Sequence, residues 1–236
     1  MNEPDGNGRT VLVTGGTGAL GAGVTTQMIE AGYRVLVTWI LEREADGARA
    51  TFGDAVELVH LEVGDEVEVA AMAARIDAEG GVWALVHLVG GFLADRPVVD
   101  MELAEWDRMM ALNARSFANL LHAFLPGMLS RGGGRVVGVG TRAALAPFAG
   151  GSAYAASKAA LLALVHAASE ETKHQGVCVN AIVPSVIDTP ANRSSMPDAD
   201  HERWVDPRDI GAVIRFLCSD GARAVTGAAI PVYGRA

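Results

Sequence analysis

Two side chains one helical turn apart, the phenol of Tyr154 and the ammonium of Lys158, stand in the run Tyr154-Ala155-Ala156-Ser157-Lys158 at the start of an apolar, helix-periodic stretch. Residues four apart on a helix share a face. A phenol with a pKa near ~10 exchanges protons poorly at neutral pH, and a neighbouring cation favours the phenolate and lowers that value. So placed, Tyr154 is a candidate general acid or base. The same spacing is also that of a surface helix with one half-buried ring, so its meaning depends on what the rest of the chain places around it.

Upstream, an apolar strand pattern at 10–14 runs into Thr14-Gly15-Gly16-Thr17-Gly18-Ala19-Leu20-Gly21, followed by a helical pattern ending at Gly32 and a second strand pattern at 34–39. Glycines allow the tight turn and the close approach of a pyrophosphate, while free N–H groups and the positive end of the following helix hold the anion. Strand, glycine-rich turn, helix and strand together predict a dinucleotide site.

The elements that must bring these two regions together are legible as well. Strand patterns fall at 10–14, 34–39, 56–61, 83–88, 134–140, 177–183 and 229–233, with helical patterns between them. Near-continuous apolar strands alternating with helices predict an α/β fold, a doubly wound parallel sheet of about seven strands covered on both faces. No linker, repeat or low-complexity break interrupts the pattern, so residues 1–236 read as one Rossmann-type domain. Ligands bind such sheets outside the carboxyl ends of the strands. Gly21, Gly90, Thr141 and Pro184 all fall at or just after such ends.

With both motifs in place the chain resembles the short-chain dehydrogenase/reductase family over nearly its whole length. The turn matches T-G-x-x-x-G-x-G except that Ala19 replaces the middle glycine, with Gly18 giving a G-x-x-G-x-x-G spacing instead. Glu62-Val63 stands where Asp-Val usually lies beside the adenine, and His87-Leu88-Val89-Gly90 where Asn-Asn-Ala-Gly is usual. Asn113 aligns with the catalytic-helix asparagine, and Thr141 with the serine thirteen positions before the tyrosine. The resemblance implies a catalytic set of Tyr154, Lys158, Thr141 and Asn113, with Asn113 holding a water that links Lys158 to solvent. It implies cofactor contacts from Gly15, Thr17, Gly18, Ala19, Leu20 and Gly21, from Trp39, Arg43, Glu62, Val63, Val89 and Gly90, and from Tyr154, Lys158, Pro184, Ile187 and Thr189. The expected activity is NAD(P)(H)-dependent hydride transfer to or from a small carbonyl or alcohol substrate.

A more local resemblance, to dihydropteridine reductases, lies in Pro184-Ser185-Val186-Ile187-Asp188-Thr189-Pro190-Ala191-Asn192-Arg193-Ser194-Ser195-Met196-Pro197-Asp198-Ala199-Asp200 followed by Trp204, and in Gly90-Gly91-Phe92. It makes 185–206 a substrate loop and keeps open the reduction of a quinonoid pterin or related ring; a dinucleotide-binding sensor or scaffold without turnover is the alternative from another class. Asn192 and Arg193 either contact the ligands or close the loop. An acid at the end of the second strand would bind the adenosine ribose and repel a 2′-phosphate, and that position is Trp39. Arg43 could neutralise the phosphate, although Glu42 and Glu44 flank it. The expectation is NADP or NAD, with a slight lean to NADP.

The formal charge of −9 and a pI near 5.1 argue against nucleic-acid or anionic-membrane partners. Residues Met1 to Arg9 are polar, without an apolar signal core, and the two cysteines, Cys178 and Cys218, sit in apolar patterns, which together predict a cytoplasmic protein with reduced core thiols. His60, His87, His122, His166, His174 and His201 show no metal-ligand spacing, so no metal site is expected, and His87 reads as a packed structural residue. Glu170-Glu171 and Asp198-Ala199-Asp200 read as solvated charge. Two helical runs, 109–129 and 155–168, are more apolar than a surface position needs; by resemblance they form the contacts of a homodimer or homotetramer.

Overall fold

The computed structural model describes residues 6–235, so most of the polar N-terminal stretch, Met1 to Asp5, lies outside the described residues. Seven strands, β1 (Thr10–Thr14), β2 (Arg34–Trp39), β3 (Val56–His60), β4 (Ala84–His87), β5 (Gly134–Val139), β6 (Val177–Pro184) and β7 (Ala229–Val232), form one sheet in the order β3-β2-β1-β4-β5-β6-β7. All pairings are parallel. The order reverses between β1 and β4, which opens a crevice at their carboxyl ends, where Thr14 and His87 are register partners.

The helices are α1 (Ala19–Glu30), α2 (Glu42–Phe52), α3 (Glu66–Ala78), α4 (Leu103–Met110), α5 (Ser116–Ser130), α6 (Arg142–Leu145), α7 (Ser152–Thr172), α8 (Pro190–Ser195) and α9 (Pro207–Cys218). Alternate strand residues point to opposite faces, and the core divides accordingly. Leu12, Leu36, Leu85 and Val136 pack with residues of α3, α5 and α7. Val11, Val13, Val35 and Val86 pack with Val24 and Met28 of α1 and with Ile210, Ile214 and Leu217 of α9. Burial on both faces is why these strands read as continuous apolar runs rather than alternating ones. Cys178 and Cys218 are buried and unpaired, and burial pushes the Cys218 thiol up to about 12.

The sequence pattern at 109–129 predicts one helix, whereas the structure divides the run. Ala111–Arg115 winds as a π-turn between α4 and α5, and Pro126 lies inside α5. Such turns are concentrated at functional sites, and this one carries Asn113.

Candidate active site

The glycine-rich turn joins β1 to α1 and is built from backbone. Gly15 has φ +72°, and a side chain there would meet the Val89 backbone nitrogen at 3.0 Å. A methyl on Gly21 would stand 2.3 Å from the Gly15 carbonyl oxygen, so the helix can pack onto the turn only with glycine. Gly18 differs: its nearest contact would be 3.6 Å away, and the protein itself does not require the missing side chain. Gly18 is the N-cap of α1, with no side chain capping the helix and no acidic residue in its first turn. Exposed N–H groups beside an open, side-chain-free surface fit a dinucleotide pyrophosphate. Thr17, Ala19 and Leu20 flank that surface, each at least partly exposed.

At the end of β2, half-buried Trp39 stands edge-on to His60 of β3, ring centroids 5.0 Å apart. The flanking acids of Arg43 are engaged elsewhere: Glu42 pairs with Arg49 at 2.9 Å, and the Glu44 carboxylate accepts from the backbone N–H groups of Ile40 and Leu41. Among the described residues Arg43 forms no ion pair, and it is exposed. Past β3, Glu62 is exposed while Val63 is buried, its carbonyl accepting from Asn119.

The second cluster gathers where β5 and α7 meet. Thr141 is the N-cap of α6, its hydroxyl oxygen accepting from the Ala143 N–H at 3.3 Å, and it is hydrogen-bonded to the Tyr154 phenol. Lys158, on the same face of α7 one turn on, is 5% exposed and donates to the Val139 carbonyl at 2.8 Å. Burial lowers the Lys158 ammonium to about 8. Here the structure corrects the sequence expectation. Tyr154 lies above the ordinary phenol value because burial outweighs the hydrogen bond from Thr141, and the Lys158 charge does not pull it down. The ammonium is aimed at the backbone of β5 instead.

Asn113 is completely buried. Its Oδ1 accepts from the Gly91 N–H at 2.8 Å, and its amide donates to the Gly91 carbonyl at 3.1 Å and to Ser157 Oγ at 2.9 Å. These bonds fill the amide's donors, so the expected water is not held by an NH2 group with a hydrogen to spare. The amide clamps the loop after β4 to α7. A methyl on Gly90 would stand 2.7 Å from Asn113 Oδ1 and 2.9 Å from Lys158 Nζ, so glycine there lets both polar groups reach the loop. Gly91 carries the chain on to Phe92, whose ring stands edge-on to Tyr154 with centroids 4.9 Å apart.

His87 is the residue whose role the sequence left plainest and the structure enlarges. It is fully buried, with Nδ1 2.8 Å from Thr14 Oγ1 and Nε2 3.1 Å from Ser116 Oγ. Ser116 donates to the Leu112 carbonyl at 2.7 Å, so its oxygen accepts from His87 Nε2–H and the Thr14 hydroxyl donates to Nδ1. Desolvation, helped by the Lys158 charge, holds the imidazole near 3, so it stays neutral. The Ser116 N–H bonds Ala111 rather than Leu112, and its hydroxyl takes over the Leu112 carbonyl. His87 thus connects the end of β1 to the π-turn that carries Asn113, a link that one residue in the sequence could not reveal.

Pro184 ends β6 and is buried; the loop after it folds mainly on itself. Ile187 bridges Val205, Thr189 caps α8, Asn192 donates to the Ile187 carbonyl, and Arg193 pairs with both oxygens of Asp188. Asn192 and Arg193 therefore close the loop. Among the described residues no three His, Cys, Asp or Glu side chains converge as a metal site would require, and no helix is long and apolar enough to cross a membrane.

Comparison with known proteins shows the family. A family model described as enoyl-(acyl carrier protein) reductase matches residues 16–234. The 2,5-dichloro-2,5-cyclohexadiene-1,4-diol dehydrogenase LinX of Sphingobium indicum is 30% identical over 240 residues, 96% of this chain and 95% of that protein. The 3-oxoacyl-(acyl-carrier-protein) reductase FabG of Pseudomonas aeruginosa is 31% identical, covering 96% of each. A solved structure titled "short chain dehydrogenase/reductase family protein" superposes with a TM-score of 0.89 at 31% identity, over 99% of this chain and 98% of that one. Against this family-wide match, the dihydropteridine reductase likeness of the 184–204 segment is a local feature.

Proposed function

The chain belongs to the short-chain dehydrogenase/reductase family and is an NAD(P)-dependent oxidoreductase acting between a nicotinamide and a small carbonyl or alcohol substrate, and on that premise we propose that Tyr154 is its proton donor, with Thr141, Lys158 and Asn113 in supporting roles. The observation that supports this most is the hydrogen bond between the Thr141 hydroxyl after β5 and the buried Tyr154 phenol, with Lys158 one turn on in α7.

When bound, the dinucleotide supplies the hydride that adds to the substrate carbon. The open surface at Gly18, flanked by Thr17, Ala19 and Leu20, would hold its pyrophosphate. Tyr154, kept protonated at neutral pH by burial, donates its proton to the carbonyl oxygen as that oxygen gains charge. The Thr141 oxygen already accepts from Ala143, leaving its hydrogen for the Tyr154 oxygen or the same substrate oxygen. Lys158, one turn on in α7, would turn its ammonium from the Val139 carbonyl to stabilise the phenolate that remains. Asn113 fixes Gly91 and Ser157, and through them the wall and floor around Tyr154.

For the adenosine end we assign a lean to NADP over NAD, supported by the exposed Arg43, which has no ion pair among the described residues, and by Trp39 in place of a ribose-binding acid. A homodimer or homotetramer is supported by an apolar hollow on the outer face of the 110–118 run and α7, lined by Met110, Ala111, Ala114, Arg115, Ala118 and Leu164. A cytoplasmic location accords with two buried, unpaired thiols.

A steady-state screen of NADH and NADPH oxidation against carbonyls, quinones and a quinonoid dihydropterin tests the reading. Turnover of a carbonyl that is lost in Tyr154→Phe is the expected result. Cofactor binding with no turnover of any of the three classes would make the chain a dinucleotide-binding module instead.

A further inference from the structure

The entrance to the Tyr154 site is apolar where it faces solvent. Phe92 is 65% exposed although its ring touches Tyr154 edge-on, Leu145 of α6 is 57% exposed, and Phe148 in the turn before α7 is 48% exposed. Phe92 touches the site itself, and the segments carrying Leu145 and Phe148 adjoin it. Leu145 lies four residues beyond Thr141, and the Phe148 ring lies where a side chain on Gly151, the N-cap of α7, would be, 2.9 Å from that position. At Gly150 a methyl would find the Arg96 backbone at 3.7 Å, so this turn abuts the 92–96 segment. Phe92 does not hang loose either, since Asn113 bonds both the N–H and the carbonyl of the preceding Gly91. A large aromatic ring left exposed next to a proton donor, on a clamped backbone, has the form of a binding wall.

Three arginines of the segments that follow Phe92, Thr141 and Pro184 are engaged within the protein. Arg96 is held by Asp95, Glu102 and Glu105 at 3.2, 2.9 and 3.6 Å. Arg193 is held by Asp188, and Arg142 lies over the Tyr233 ring, 5.3 Å from its centroid. A polyanionic thioester or an acidic carrier protein approaching a chain of net charge −9 would find these three arginines committed to internal partners.

We propose that the substrate is an uncharged carbonyl compound, or the matching alcohol, whose reacting carbon is part of or attached to a ring that lies against Phe92, and that Phe92 sets this specificity. The inference rests on the hydride-transfer reading above and narrows it to one substrate class. The ring stacks on the apolar rim, its oxygen points to Tyr154 and Thr141, and no cation is needed to hold a remote anionic handle.

The test compares kcat/KM of the full chain, with NADPH and with NADH, for cyclohexanone, 1-tetralone, 2-butanone and acetoacetyl-CoA. The ring ketones are expected to exceed acetoacetyl-CoA by at least about tenfold. Phe92→Ala should lower the ratio of ring ketone to 2-butanone by about tenfold, chiefly through KM, with cofactor Kd unchanged, and Phe92→Tyr should restore the ratio. A preference for acetoacetyl-CoA, or an equal loss on all ketones in Phe92→Ala, overturns the inference while leaving hydride transfer intact. No turnover of any of these compounds, of quinones or of the dihydropterin by cofactor-saturated protein overturns the parent reading and this inference with it.

Discussion

The glycine-rich turn at the end of β1 and the cluster around Tyr154 lie on the same edge of the sheet yet are built by opposite means. The turn works through what its residues lack: Gly15 and Gly21 admit no side chain, and Gly18, at the uncapped start of α1, leaves room for an anion. The cluster works through side chains brought from three segments, at 113, 141 and 154–158, and held by specific hydrogen bonds. A site made from backbone fails when something is added to it. One made from buried side chains fails when something is removed.

The largest expected effect is at Tyr154. Tyr154→Phe keeps the ring against Phe92 and deletes only the hydroxyl, so turnover should fall at least about a hundredfold while dinucleotide Kd, measured by fluorescence titration, changes little. Near-normal turnover would remove the proton donor from the cluster and with it the contrast between the two regions.

Within the turn, two glycines separate packing from binding. Gly21→Ala puts a methyl 2.3 Å from the Gly15 carbonyl oxygen and should cost roughly 2–3 kcal/mol of stability by urea unfolding. Gly18→Ala meets nothing closer than 3.6 Å and should leave the unfolding midpoint nearly unchanged, yet weaken dinucleotide binding severalfold. Equal affinity of the Gly18→Ala variant for the dinucleotide would place the pyrophosphate elsewhere.

Lys158 sharpens the comparison through pH. Its folded value, about 8, lies below the ordinary 10.5, so between these values the unfolded chain binds a proton that the folded chain does not. Stability should therefore rise with pH across that window, by up to about 3 kcal/mol, and show no slope from this group below pH 8, where both states are protonated. Urea unfolding of the cofactor-free protein at pH 7.5, 8.5 and 9.5, taken as wild type minus Lys158→Met, isolates the effect. A flat difference would show that the ammonium is not desolvated.

The smallest effect is expected at the exposed end of the dinucleotide site. Arg43→Ala should weaken NADPH by about three- to tenfold and leave NADH unchanged, since a solvated cation on a 2′-phosphate contributes on the order of 1 kcal/mol. Equal loss for both cofactors, in parallel titrations, would remove Arg43 from the phosphate.

Much of this molecule was legible without coordinates. All seven strands lie within about a residue of their apolar patterns, because a parallel sheet covered on both faces demands continuous apolar strands whatever packs on them. The turn was legible for a related reason: strand, glycines and helix are contiguous, and backbone geometry is a local property. Tyr154 and Lys158 share a face of α7 by helical period alone.

Tertiary structure alone decided the chemistry of those groups. The four-residue spacing predicts a phenol lowered by its neighbouring cation, but burial is set by residues far away in sequence, and it raises Tyr154 while drawing the Lys158 ammonium to the Val139 carbonyl. The apolar run through 109–129 gave no sign of its π-turn, which follows from Asn113 reaching Gly91 and Ser157 while Ser116 and His87 hold the turn from the other side. Nor could spacing place Phe92 on Tyr154 across 62 positions of chain. Periodicity and backbone conformation act over a few residues and can be read from order along the chain, whereas desolvation and side-chain contacts depend on which distant segments the fold brings within a few ångströms.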